Sequence, residues 1–174
     1  MASVAVLLEG YLLIMKELLN ILRQEVELHE QLISMLQKES EGFGRLRGSE
    51  LLKLQGEKSR CVRASSRLEK ERIQLVEQLA DSWNMASKEL TLSVIISRAT
   101  EEYSAPLQQC FDQLKSLIKH IHIIADENSL QASGRLKSVE SSIQFMSQLQ
   151  NGPPTYSDAG KIQTATSTIS RTEV

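Results

Sequence analysis

Apolar residues recur at steps of three and four along most of the chain, and this helical spacing predicts long helices. We expect the first from about Leu7 to about Glu39, because its apolar stripe continues over more than four heptads. At ~1.5 Å per residue, this helix is a rod of roughly 50 Å. A short domain cannot wrap a rod of that length, so other long helices must lie beside it. The stripe consists of Leu8, Tyr11, Leu12, Met15, Leu18, Leu19, Leu22, Val26, His29, Leu32, Ile33 and Leu36.

Three glycines between Glu41 and Gly48 end this pattern. A second helix is predicted to begin with Ser49 as its N-cap and to end near Ser82. It has one apolar seam with heptad spacing and, beside it, a row with the same spacing that is polar at three of five positions. The seam is Leu54, Cys61, Leu68 and Leu75, and the row is Leu51, Lys58, Ser65, Arg72 and Leu79.

A short helix is predicted from Thr91 to Arg98, followed by a third long helix that starts at Ser104 and Pro106. It should end near Gln150, because the next residues, Asn-Gly-Pro-Pro, cannot continue a helix. From position 153 the chain is rich in Ser and Thr and poor in large apolar groups, which predicts a flexible tail. The third stripe is Leu107, Phe111, Leu114, Ile118, Ile121, Ala125, Asn128, Ala132, Leu136, Val139, Ile143 and Met146.

These elements predict an all-α fold: an elongated antiparallel bundle of three long helices, with a short connecting helix. Residues 1–152 would form the bundle domain and residues 153–174 the tail. Aromatic residues make up only 4% of the chain, which fits long helices better than a β-sandwich. Charge also differs between the helices. Residues 9–41 carry three bases and seven acids (3 − 7 = −4), and residues 45–72 carry nine bases and four acids (9 − 4 = +5). Opposite charges should therefore face each other in the first two helices.

Several function classes lack support in the sequence. The net charge of −2 indicates neither nucleic-acid binding nor attachment to an anionic membrane, and no apolar run is long enough for membrane insertion. Two widely separated cysteines, Cys61 and Cys110, fit a reducing cytoplasm. His120 and His122 point ~200° apart on a helix and cannot share a metal ion. We expect no catalytic site, no metal and no cofactor, and hence a protein that is not an enzyme.

The third helix carries a second apolar row opposite its main stripe, at Ile123, Leu130 and Phe145. Either the helix is central and covered on both sides, or this row is exposed for a partner helix. Asn128 lies within the main stripe, where its amide could set the register or bond a partner's backbone.

Three segments resemble the FlgN-type flagellar export chaperones. The first runs from Ser49-Glu50-Leu51 through Glu57-Lys58-Ser59 to Leu68-Glu69 and Arg72, and the second is Asp126-Glu127-Asn128. The third, Pro154-Thr155-Tyr156-Ser157-Asp158-Ala159-Gly160, is similar to the family's Pro-x-x-Tyr-Gly-x-x-Gly signature and is the most specific of the three. Ser157 departs from the family's usual glycine, and no family role transfers to the end of the chain from Thr164.

The resemblance implies a cytoplasmic chaperone of flagellar type III export that holds the C-terminal helical region of hook-associated (hook–filament junction) proteins. It places the client on the third helix and implies that Tyr156 contacts the export gate protein. A self-assembling structural coiled coil and a regulator that binds a transcription factor remain alternatives, and a homodimer is left open. The implied client-binding residues are Asn128, Leu130, Leu136, Val139, Ile143, Phe145, Met146 and Leu149.

Overall fold

A computed structural model describes residues 2–150, 155–156 and 162–163, with side chains for residues 9–148. Four helices follow one another: α1 (Ala2–Gly42), α2 (Gly48–Ser82), α3 (Leu92–Arg98) and α4 (Glu101–Gln150). Two short strands, β1 (Thr155–Tyr156) and β2 (Ile162–Gln163), pair antiparallel, with Tyr156 opposite Ile162. The predicted all-α fold with three long helices and one short helix is confirmed. The antiparallel arrangement of the three long helices stays a prediction.

α1 is longer than predicted at both ends and stops where glycine permits a sharp turn. Gly42 is its last residue, and a Cβ added there would clash with the Leu46 side chain. Gly44 has a φ of 83°, in the left-handed region that favours glycine. The backbone N–H groups of Arg45 and Leu46 both donate to the Gly42 carbonyl, at 2.9 Å. The chain thus reverses within a few residues and enters α2.

The predicted N-cap of α2 was wrong by two residues. The helix begins at Gly48, with extended Arg47 before it, so Ser49 already lies inside the first turn. The carboxylate of Glu50 accepts a hydrogen bond from the Arg47 backbone N–H at 2.7 Å, which satisfies the donor that precedes the helix. The predicted end at Ser82 is confirmed.

The predicted start of the third long helix was also wrong, by one turn. α4 begins at Glu101, and Pro106 lies inside it. The Thr100 carbonyl accepts from the backbone N–H groups of Tyr103 and Ser104, both at 2.9 Å. The Ser104 hydroxyl does not cap this helix; it donates to the Ile96 carbonyl at the end of α3. The short helix α3, capped by Thr91, and the end of α4 at Gln150 agree with the prediction.

The apolar stripes meet in a core that all four helices share. Met15, Leu18, Leu79, Ile95 and Leu107 are fully buried in its largest cluster. A smaller cluster joins Ile33 and Leu36 of α1 to Ile124 of α4. The predicted seam of α2 is confirmed, because all four of its members are buried: Leu54, Cys61, Leu68 and Leu75.

The chain divides into two compact units, residues 1–128 and residues 129–174. The core described above belongs to the first unit. The described part of the second unit comprises the rest of α4 and the β1–β2 pair. Most of the predicted flexible tail lies outside the described residues.

Candidate functional site

Two polar residues of the α2 row form ion pairs with acidic residues of α1. Lys58 Nζ lies 2.6 Å from Glu39 Oε1, and Arg72 Nε lies 3.2 Å from Glu25 Oε1. The Glu25 side chain is only 8% exposed. Partners with rising numbers in α2 have falling numbers in α1, so the two helices run in opposite directions along this contact. The predicted facing of opposite charges is confirmed, and the polar row serves as a paired interface within the chain.

Asn128 is the innermost of the predicted client-binding residues. It is only 4% exposed, and its Nδ2 donates to the Leu36 carbonyl at 2.9 Å and to Glu39 Oε2 at 3.1 Å. Both neighbours are acceptors, so the amide nitrogen must face them. Its Oδ1 is buried, and no donor within the described residues reaches it. Since Glu39 also holds Lys58, one carboxylate connects α1, α2 and α4.

The other predicted residues with described side chains are exposed. Leu136, Val139, Ile143 and Met146 are 60%, 56%, 61% and 59% exposed, respectively. Their spacing of three, four and three residues places them on one face of α4, as in the contact line of a coiled coil. We call these four residues the apolar seam. A helix that exposes four large apolar side chains in one line is expected to have a partner.

Leu130 and Phe145 lie ~120° and ~180° around the helix from Leu136. They are 76% and 61% exposed, and Ile123, the third member of that row, is 48% exposed. The row is therefore exposed, and the interpretation that α4 is covered on both sides was wrong. Leu149 and Tyr156 complete the prediction, but their side chains lie outside the described residues.

Residues 129–148 carry few charges for an exposed helix. Arg135, Lys137 and Glu140 are the only charged residues among them, and Ser and Gln fill most of the remaining polar positions. Protein interfaces are depleted in charged residues at their centres, whereas solvated helices usually are not. The composition and the exposure pattern together make this stretch a candidate interface.

A second feature, which sequence reasoning missed, is a cavity of about 490 Å³ in the first unit. Leu22, Phe111 and Ile118 form apolar parts of its wall, and the Glu25–Arg72 pair lines another part. His29 also faces it, with Nδ1 2.6 Å from the Glu25 carbonyl. Ser65 and Arg72 of the polar row line this cavity on the α2 side. The polar row in the sequence could therefore have suggested a gap in the packing at this point.

An aromatic cluster, also missed from sequence, lies elsewhere in the first unit. The rings of Tyr11 and Trp83 are 6.4 Å apart, and the Arg98 guanidinium carbon lies 5.4 Å from the Trp83 ring centre. The Tyr11 hydroxyl is buried without a hydrogen-bond partner among the described residues. These residues come from α1, α3 and the α2–α3 connection, so no local sequence motif predicts the cluster.

Both cysteines are buried and free. Burial raises the pKa of the Cys61 thiol, whose Sγ lies 3.1 Å from the Leu28 carbonyl. Burial also raises the pKa of Cys110, partly opposed by the nearby Arg23 guanidinium. A thiol with a raised pKa is a poor nucleophile. In the described part of the chain, no group of three or more His, Cys, Asp or Glu side chains could hold a metal ion.

Among the described residues, no helix is long and apolar enough to cross a membrane. No curated protein and no solved structure matches the chain. A family model described as FlgN protein matches residues 15–164. The match includes all the segments on which the resemblance was based, together with the apolar seam. The chain therefore belongs to the FlgN family of flagellar export chaperones.

Proposed function

We propose that this protein is a cytoplasmic chaperone that binds the C-terminal helical region of hook-associated flagellar proteins. It prevents their premature assembly and delivers them to the type III export gate. The scaffold is an antiparallel bundle of the three long helices. The observation that carries the proposal is the apolar seam, four large side chains exposed in one line on α4.

The size of the seam bears on what the client must cover. Burying one aliphatic side chain completely is worth about 1.5–3 kcal/mol, so four that are roughly 60% exposed contribute ~4–7 kcal/mol. Micromolar affinity needs ~8 kcal/mol after association costs of at least ~4 kcal/mol. The seam alone does not reach that value. The client's helical region therefore also contacts α4 on a second side, where it covers Leu130 and Phe145, the remaining large exposed apolar residues in the described part of the second unit.

The remaining predicted residues take different roles in this proposal. Asn128 is already bonded inside the first unit, so it positions α4 and does not touch the client. Leu149 extends the client surface at the end of α4. Tyr156 contacts the export gate protein.

Calorimetric titration with C-terminal segments of hook-associated proteins from the same organism tests the proposal. We expect one-to-one binding in the micromolar range or tighter, abolished by Phe145→Asp with helicity unchanged. Gln78→Asp is the control, because it adds the same charge at an exposed position of α2, away from the proposed client surface. No heat with any segment would reject the proposal. A stable homo-oligomer with no client, measured by sedimentation, would instead support a self-assembling coiled coil.

A further inference from the structure

The residues beside the C-terminal half of the apolar seam are uncharged. In heptad terms Ile143 and Met146 occupy core positions, and Ser142 and Ser147 occupy the two flanking positions. No charged residue occurs in residues 141–148. The Ser142 hydroxyl donates to the Ser138 carbonyl at 2.9 Å, so its oxygen is left as an acceptor for a partner.

The α1–α2 interface of the same chain is built in the opposite way. There, heptad positions of α2 hold Lys58 and Arg72, and each meets a carboxylate of α1. Charge thus selects the internal partner. The exposed seam has no comparable charges beside Ile143 and Met146, so a partner cannot be selected there by opposite charge.

We infer that the C-terminal half of the seam, at Ile143 and Met146, selects a client helix with apolar residues in matching heptad positions and with uncharged hydrogen-bond donors, such as Gln or Asn, beside them. Arg135 and Glu140 flank the other half of the seam. This inference rests on the proposed chaperone function and specifies its client. A Lys or Glu at those flanking positions would lose water against Ser142 and Ser147 without gaining an opposite charge. A Gln amide instead donates to the Ser142 oxygen. Ser142 and Ser147 are the specificity-determining residues.

The test uses the full chain and two labelled three-heptad helical peptides, with identical Leu and Ile core positions. One peptide has Gln and the other has Lys only at the two flanking positions that meet Ser142 and Ser147, and binding is followed by fluorescence anisotropy. We expect the Gln peptide to bind about tenfold more tightly, because the Lys peptide leaves a partly desolvated polar group without a hydrogen-bond partner. Its affinity should stay constant between roughly 50 and 500 mM salt, because no exposed charge pair contributes.

The double variant S142E/S147E should reverse this order and favour the Lys peptide, with an affinity that falls as salt rises. Gln55→Glu combined with Gln78→Glu adds the same charge at exposed positions of α2 and should leave the order unchanged. Equal binding of both peptides, an unchanged order in S142E/S147E, or no binding of the Gln peptide would each overturn the inference. The native client segments keep the two proposals apart. If they bind the wild-type chain while the peptides fail these tests, only the selection by uncharged flanks is rejected.

Discussion

Asn128→Ala is the substitution whose cost can be worked out most directly from the structure. The wild-type amide donates one hydrogen bond to the Leu36 carbonyl and one to the Glu39 carboxylate. A neutral hydrogen bond contributes ~1 kcal/mol and one to a charged group ~1.5–3 kcal/mol. Alanine recovers up to ~0.7 kcal/mol through its higher helix propensity. The first unit should therefore lose ~2–3 kcal/mol of its free energy of unfolding.

Trp83 makes this measurement specific to the first unit. It is the chain's one tryptophan, and it packs against the core of that unit. Urea unfolding followed by Trp83 fluorescence should show the midpoint of Asn128→Ala shifted down by about 0.7–3 M, for a slope of ~1–3 kcal/mol per molar. Asn20→Ala is the matched control: Asn20 lies exposed on α1, so this substitution gains only helix propensity and should raise the free energy of unfolding by up to ~0.7 kcal/mol.

Equal midpoints for Asn128→Ala and Asn20→Ala would refute this reasoning. A double-mutant cycle with Glu39→Gln would then locate the error. Coupling above ~0.5 kcal/mol between positions 39 and 128 would show that the side chains interact and that only the magnitude was wrong. Coupling near zero would show that the hydrogen bond to Glu39 contributes nothing to stability.

Three further predictions concern the first unit. Leu107→Ala should lower the free energy of unfolding by ~3–5 kcal/mol because Leu107 is fully buried, whereas Leu52→Ala, at a 75% exposed position, should change it by less than ~0.5 kcal/mol, both by Trp83 fluorescence. Arg72→Glu should destabilise by ~2 kcal/mol or more by placing two carboxylates together, and E25K/R72E should recover at least half of that loss in urea unfolding. Because burial raises the pKa of Cys61 above its ordinary value of 9.0, alkylation at pH 8, followed by mass spectrometry, should be slow until the chain unfolds. An alkylation rate equal to that of the unfolded chain would contradict this protection of the thiol. Because the thiol of the unfolded chain loses its proton at a lower pH than the buried one, the free energy of unfolding should also fall as the pH rises past 9.0.

The sequence predicted the features that depend on periodicity. Leu54 and Leu68 were assigned to the α2 seam by heptad spacing alone, and the facing of α1 and α2 followed from charge. Periodicity determines which face of a helix is apolar, and so this part of the fold follows from local pattern. Helix starts were predicted less well, because several polar residues compete for the same role. Ser49 was a plausible N-cap, but the helix starts one residue earlier, and the Glu50 carboxylate accepts the hydrogen bond from the Arg47 N–H that precedes it.

The candidate site was only partly accessible from sequence for a related reason. One continuous apolar stripe runs along α4, but Leu114 is buried while Leu136 is 60% exposed. Periodicity shows which face of α4 is apolar, but it does not show how far along α4 the other helices cover that face. The change occurs after Asn128, and its two hydrogen bonds depend on α1 residues about ninety positions away in the chain. Such a contact has no local signal.

The ion-paired row of α2 has a consequence for molecules that try to enter the bundle. A client helix that replaced α1 in the bundle would strip Lys58 and Arg72 of their carboxylate partners. The Lys58 and Arg72 side chains are 15% and 31% exposed, so each unpaired charge would cost up to ~3–5 kcal/mol, and the two together are comparable with what burial of the apolar seam provides. The protein can thus expose its apolar seam to a client while the ion-paired α1–α2 interface resists insertion of that client.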